Sequence, residues 1–165
     1  MTKEIKTSIV IQAKPEKVWE VFSNFEKYNE WNPLIKSIKG EIKEGNKIKV
    51  QVSKKSFKAR VMAYTPNKEL VWSGGLFIKG LFDGEHRFIF KYNGRGTTLF
   101  EHSEEFSGLL VKSFSNKIDT EIKDSFEEMN KNLKQLVEDK FPYKKWKPRR
   151  KKFYKKPFNS NKKNN

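Results

Sequence analysis

The chain predicts an α+β domain: a curved, seven-stranded antiparallel sheet with two short helices near its start and one long C-terminal helix across its concave face. Three observations predict it. Apolar and polar residues alternate in short stretches between residues 3 and 107, the period of strands with one buried face. Short turn sequences such as "KEGN", "TPNK" and "NGRG" separate these stretches, too short for crossover helices, so successive strands run antiparallel. After Gly108 the apolar period lengthens to steps of three and four and holds to about Asp139.

In order, "EIKTSIVIQ" puts Ile5, Thr7, Ile9 and Ile11 on one face of a strand. Pro15 then suits a first helical turn, where its missing N–H costs nothing, and Glu16 complements the helix N-terminus. Val18, Val21, Phe22 and Phe25 follow at helical spacing, and a second helical piece around residues 25–31 should end before Pro33. "LIKSIKGEI" and "KIKVQV" flank "KEGN", with Ile48, Val50 and Val52 alternating against Lys and Gln. "SFKARVMAY" places Phe57, Ala59, Val61 and Ala63 on one face, and "ELVWSGG" places Leu70 with Trp72. "LFIKGLFDG" reads as a bent strand or a loop whose glycines permit bending, with Leu76, Phe77, Leu81 and Phe82 at a rim; the plain alternative is a bulge and a turn. "EHRFIFKY" and "TTLFEHSEEF" make a hairpin through "NGRG". The last helix carries Phe114, Ile118, Ile122, Phe126, Met129, Leu133 and Leu136 on one stripe and ends at Phe141-Pro142. There is no internal repeat.

Charge divides the chain in two. The whole carries 36 Lys/Arg against 20 Asp/Glu, but residues 141–165 hold 11 Lys/Arg and no acid. Residues 1–140 therefore read as an ordinary domain, and 141–165 as a basic, aromatic-containing tail, predicted to be disordered in isolation. The absence of cysteine excludes disulfides and thiolate metal sites, and two histidines argue against zinc. No apolar run approaches a membrane span and the start lacks a signal-peptide core, so a cytoplasmic location is expected. No P-loop, GxGxxG, HExxH or GxSxG motif is present, and no cofactor or metal is expected.

This element order, with "PEKVWEVFSNFEKYNEWNPLI", "LVWSGG", "GEHRF" and "FEHSEEFSGLL", resembles the START-like superfamily, also called SRPBCC. Its fold is the helix-grip fold of birch-pollen-allergen-like proteins. The likeness is greatest to the polyketide cyclase/dehydrase-type branch and covers residues 3–138. The resemblance implies a deep apolar cavity between helix and sheet, and a hydrophobic ligand of lipid, hormone or polyketide type; a minority of such proteins catalyse. It implies nothing about the tail.

Four groups of residues are candidates for function. If "GRG" forms a three-residue hairpin loop, facing positions sum to 190: Phe90 opposes Phe100, Phe88 opposes His102, His86 opposes Glu104, and Gly84 opposes Phe106. His86 and Glu104 then form a pair able to bind a ligand hydroxyl or carbonyl, to move a proton, or simply to satisfy each other inside the sheet. A two-residue loop would instead set His86 opposite Ser103. Trp31-Asn32-Pro33 reads as a pocket wall or as a helix-ending turn with Trp31 partly buried. Trp72, Phe82, Phe88, Phe90, Phe100, His102, Phe106, Phe114, Ile118 and Phe126 would line a cavity, or be plain core. Lys144, Lys145, Trp146, Lys147, Arg149, Arg150, Lys151 and Lys152 form a polyanion-binding candidate in the tail, for weak nucleic-acid or anionic-membrane contact, or serve only as a solubilising segment. The leading expectation is a binder of a hydrophobic small molecule. The alternatives are a cyclase/dehydratase-type enzyme using His86 and Glu104, and a nucleic-acid- or membrane-associated protein acting through its tail.

Overall fold

The computed structural model of the chain describes residues 1–75 and 79–142. Strand β1 (Thr2–Ile11) leads to helix α1 (Pro15–Phe22), a 3-10 turn (Phe25–Lys27) and the one-turn helix α2 (Tyr28–Trp31). Six strands follow: β2 (Ile35–Lys39), β3 (Lys47–Val52), β4 (Lys55–Thr65), β5 (Glu69–Gly75), β6 (Asp83–Tyr92) and β7 (Thr98–Ser107). The C-terminal helix opens as α3 (Ser115–Lys117), passes through a π turn (Ile118–Ile122) and continues as α4 (Lys123–Lys140).

All seven strands form one antiparallel sheet in the order β1-β7-β6-β5-β4-β3-β2. Hairpins join β2 to β7 in succession. Strand β1 returns to pair with β7, which leaves β1 and β2 as the edges. The helix packs on the inner face, and the buried residues follow the strand alternation: Ile5 and Ile11, Ile48 and Val50, Ala59 and Val61, Phe88 and Phe90, Phe100 and Phe106. They divide into two clusters. The larger contains Val18, Trp19, Phe22, Tyr28, Phe88, Phe100, Met129 and Leu133. The smaller contains Ile5, Phe82, Phe106, Val111, Ile118 and Phe126.

Two departures from simple periodicity have local causes. A bulge between Val61 and Ala63 gives β4 one extra residue against β5, so Ala63 pairs with Val71 rather than sharing the Val61–Trp72 side. The helical pattern after Gly108 begins only at Ser115, because residues 109–114 are tied down elsewhere: the N–H groups of Leu109 and Leu110 donate to the carbonyls of Gly80 (3.2 Å) and Leu81 (2.9 Å). Leu109 is left 81% exposed while Val111 is fully buried. The buried stripe of α4 closes on Val137, four residues after Leu133, and Leu136 turns toward solvent.

Gly108 is the hinge of this arrangement. Its φ is +121°, and a Cβ there would run into the backbone carbonyls of Leu81 and Gly80. Gly108→Ala should therefore destabilise the protein by roughly 2 kcal/mol or more, lowering the thermal midpoint by several degrees; an unchanged melting curve would show that the segment is not held as described.

Candidate functional site

The β6–β7 hairpin turns through Gly94-Arg95-Gly96, all at positive φ (80°, 49° and 78°), a conformation that favours glycine and strains Arg95. The loop is closed by Asn93 N–H donating to the Thr97 carbonyl and Thr97 N–H donating to the Gly94 carbonyl, both at 2.9 Å. Beyond it the strands pair Tyr92 with Thr98, Phe90 with Phe100, Phe88 with His102, His86 with Glu104 and Gly84 with Phe106. His86 and Glu104 are thus direct neighbours, on the face turned toward the C-terminal helix. Glu104 has room because its carboxyl lies over Gly84, where a Cβ would collide with it.

The pair belongs to a longer polar chain. His86 Nε2 lies 2.6 Å from His102 Nε2. His102 Nδ1 lies 3.0 Å from the Asn130 side-chain oxygen on α4, and the Asn130 amide nitrogen donates to Thr7 Oγ1 at 2.9 Å. Thr7 Oγ1 donates back to the His102 carbonyl at 3.1 Å. At the other end, Glu104 Oε2 is 3.6 Å from His86 Nδ1. The network assigns the tautomers. Asn130 donates through its nitrogen, so its oxygen accepts the His102 Nδ1 proton, which leaves His102 Nε2 as acceptor for the His86 Nε2 proton. His86 Nδ1 then presents a lone pair to Glu104. Three strands and the helix are linked through one directed series of hydrogen bonds.

Aromatic rings enclose it. Phe126 stacks on His102 with centroids 3.8 Å apart and planes 4° apart, and lies 5.0 Å from His86. Phe88 sits 4.5 Å from His86 and 4.8 Å from His102, and Trp72 lies 5.3 Å from His86. Burial sets the protonation states. Loss of water holds His102 down to about 3 and His86 well below its ordinary value, with His102 as a second cause for His86. Burial pushes the Glu104 carboxyl up to about 8, although 18% of that side chain still reaches solvent. Near neutral pH the chain is uncharged, with a protonated carboxyl at its outer end.

The sequence candidates distribute unevenly around this chain. Trp72, His86, Phe88, Phe100, His102 and Phe126 come together at the imidazoles. Phe82, Phe106, Ile118 and Phe126 form the smaller cluster beside it, and Phe114 packs on Phe82 at 5.3 Å as a half-exposed lid. Trp31 instead packs on Tyr28 at 5.0 Å. Asn32 serves the turn: its oxygen accepts from the N–H groups of Leu34 and Ile35, at 2.9 and 2.8 Å. Lys144, Lys145, Trp146, Lys147, Arg149, Arg150, Lys151 and Lys152 lie outside the described residues, as do Leu76 and Phe77.

Sequence reasoning missed Asn130. Its one signal was its place four residues after Phe126, on the buried side of the helix. It also missed the buried Tyr28 hydroxyl, which has no hydrogen-bond partner among the described residues. Among the described residues, the space between helix and sheet is filled by the protein's own side chains. Ile118, Phe126, Met129 and Leu133 are fully buried against the sheet, and two hollows of about 300 and 260 Å³ lie on the outer face, among Glu4, Asp83, Glu85, Arg87, Glu101 and Glu105. Among the described residues no cluster of His, Cys, Asp and Glu could hold a metal, and no helix is long and apolar enough to cross a membrane.

A seven-stranded antiparallel sheet gripping a C-terminal helix, with an aromatic inner face, defines a helix-grip domain of the SRPBCC class. Within that class, the chain belongs to the family described as polyketide cyclase / dehydrase and lipid transport, whose profile matches residues 2–138. No curated protein matches it. A hypothetical protein from Helicobacter pylori has a similar structure, with a TM-score of 0.71 at 11% identity over 82% of this chain and 88% of that one. So do the ZhuI aromatase/cyclase of Streptomyces sp. R1128 (TM-score 0.64, 10% identity, 85% and 96%) and a Thalictrum flavum norcoclaurine synthase (0.65, 14%, 85% and 96%). At these identities the likeness is one of fold.

The buried chain makes stability depend on pH in two opposite ways. In the unfolded state the imidazoles and Glu104 return to their ordinary values of 6.5 and 4.5. Below pH 6.5 the unfolded chain binds protons that the buried imidazoles refuse, so stability falls as pH falls. Between 6.5 and 8 the folded Glu104 keeps a proton that the unfolded chain has lost, so stability falls as pH rises, by at most about 1.4 kcal/mol per pH unit. Urea unfolding across pH 5–9 should show a maximum near 6.5, and Glu104→Gln should abolish the alkaline decline; a decline that survives the substitution would assign it to another group. Asn130→Leu should cost roughly 2–3 kcal/mol at every pH, because it removes the side-chain acceptor of His102 Nδ1–H and the donor to Thr7 Oγ1.

Proposed function

We propose that residues 1–140 bind a hydrophobic small molecule between sheet and C-terminal helix, with residues 141–165 as a separate appended segment. The ligand displaces the smaller aromatic cluster and sets a hydroxyl or carbonyl against Glu104 and His86. The observation behind this reading is the placement of an uncharged carboxyl–imidazole chain inside an otherwise aromatic wall. An apolar wall alone selects by size, whereas one buried hydrogen-bonding group rejects ligands that leave it unpaired. Three features support displacement. The smaller cluster joins the rest of the interior through Phe126; it is covered by Phe114, which is 36% exposed and packs on Phe82; and it rests on a π turn, a local irregularity in helical packing that often accompanies function. A ligand lipid- or polyketide-like in shape suits the family to which the chain belongs.

We assign the pair to orientation rather than turnover. Both nitrogens of His102 and one of His86 are already committed within the chain, and the remaining nitrogen faces Glu104. No free base remains for a substrate without dismantling the network. A cyclase or dehydratase reading requires that dismantling.

Native mass spectrometry of freshly purified full-length protein should reveal a retained small molecule. Thermal-shift screening against fatty acids, sterols and aromatic polyketides should give a stabilised complex. His86→Phe should lower stability by about 1–3 kcal/mol, since it leaves His102 Nε2 unpaired, and the folded variant should bind ligands bearing a hydroxyl or carbonyl roughly ten- to a hundredfold more weakly, with less effect on hydrocarbon analogues. No retained molecule and no shift across the panel would remove the proposal.

A further inference from the structure

We infer that the outer face of β2, β3 and β4 is a contact surface for the phosphodiester backbone of a nucleic acid, separate from the sheet–helix site. These three strands contain Lys36, Lys39, Lys47, Lys49, Lys55, Lys58 and Arg60, and no Asp or Glu. The sheet register turns this composition into a pattern. Lys39 pairs directly with Lys49, and Lys49 with Lys58, which makes an unbroken row of three lysines across three strands. Lys47 pairs directly with Arg60 in the neighbouring row. All five side chains are exposed, and among the described residues none of the four lysines forms an ion pair. Arg60 donates to the Gly45 carbonyl at 2.9 Å.

Like charges directly opposite on antiparallel strands destabilise the pairing. Here that cost recurs in two adjoining rows, so the arrangement works against the fold and for something else. The charge is also local. On the outer face of β1, β6 and β7, Glu4, Asp83, Glu85, Glu101 and Glu105 stand among Lys6, Arg87 and Lys91. Cations therefore separate from acids along the sheet.

The spacing and the neighbours indicate the partner. Adjacent strands lie about 4.8 Å apart and alternate residues along a strand about 6.7 Å apart, so flexible lysines on this grid reach successive phosphates of one strand. The row beside the lysines is Ser37, Gln51 and Ser56, which offers hydroxyl and amide groups. The five positions bring no aromatic ring and no apolar anchor. Base stacking and bilayer insertion both need such groups, whereas phosphate contact needs only cations and hydrogen-bond donors. The contact is independent of base sequence.

The test uses the full chain, a fluorescein-labelled 20-nucleotide single strand and a salt titration followed by polarisation. Each lysine that neutralises a phosphate adds about 0.7 to the slope of log Kd against log salt. The triple variant Lys39→Thr, Lys49→Thr, Lys58→Thr should lower that slope by about 2 and weaken binding roughly a hundredfold at 0.1 M salt. Lys39→Arg, Lys49→Arg, Lys58→Arg should bind as the unaltered chain does. A triple variant of equal net charge elsewhere, Lys112→Gln, Lys123→Gln, Lys131→Gln, should leave the slope unchanged. The threonine variant should melt no lower than the parent, since it removes like-charge pairs. An equal loss in both neutralised variants would reduce the effect to net charge. No loss in the threonine variant would leave the basic tail as the whole polyanion site, and either result overturns the inference. Full-length chain that sediments with phosphatidylcholine/phosphatidylglycerol vesicles but ignores the oligonucleotide at the same salt would overturn it in favour of a membrane surface.

Discussion

The loop Gly94-Arg95-Gly96 decides which residues of β6 and β7 face each other, and the whole candidate site depends on that pairing. A slip of one residue would move His86 opposite Ser103 and send one strand's aromatic residues to solvent. The register is held from two sides. The loop's positive φ angles accept only its glycine-rich sequence at low strain, and the buried run Phe88, Phe90, Phe100 and Phe106 on the inner face makes every alternative costly in exposed aromatic area. Turn chemistry and hydrophobic pattern therefore agree, which is the condition for a unique pairing.

Once the register holds, two imidazoles and a carboxyl are carried into an apolar interior, where an unpaired polar group would cost more than the fold can easily offset. The answer is to keep every member neutral and to hand each hydrogen to the next acceptor, from His86 through His102 to Asn130 and Thr7, with the Glu104 carboxyl facing the outer His86 nitrogen at 3.6 Å. Such a chain is rigid because no link can rotate without stranding its neighbours. It fastens α4 to β1 and β7 at one point, where ring stacking by Phe126 alone would permit sliding. The structural role and the proposed binding role are thus two uses of the same constraint. The network fixes the helix, and its carboxyl end, 18% exposed, is the part of it that most reaches solvent.

The fold was legible in the sequence because its signals are local. Alternation marks strands, steps of three and four mark the helix, and "NGRG" marks the decisive hairpin; even the facing pairs of β6 and β7 followed from loop length. What escaped depends on distance. Asn130 reads as one polar residue in a mostly polar helix, and only the docking of α4 reveals that it meets Thr7 across 123 positions of sequence. The bulge at Met62 is a single added residue that leaves the alternation of β4 nearly intact while moving Ala63 to the other side. Closure of the interior was equally hidden. A stripe of phenylalanines has the same pattern whether it lines a cavity or fills one, and only packing distinguishes them.

The same limit applies to charge. Along the chain, the lysines of β2, β3 and β4 look like ordinary polar positions alternating with Ile48, Val50 and Ala59. Pairing converts them into rows, because antiparallel register stacks residues of equal parity on one face. The rows fall on β2 and its two neighbours, and β2 is an edge strand, where lysine also discourages pairing with other chains. Edge protection explains Lys39. It explains less of Lys49 and Lys58, which lie on strands already paired on both sides, and nothing in edge protection demands that they align with Lys39. The inner face of this sheet removes charge wherever it buries a titratable group, while the outer face of β2, β3 and β4 aligns cations in rows. That contrast sets the proposed ligand site and the inferred phosphate surface on opposite sides of one sheet.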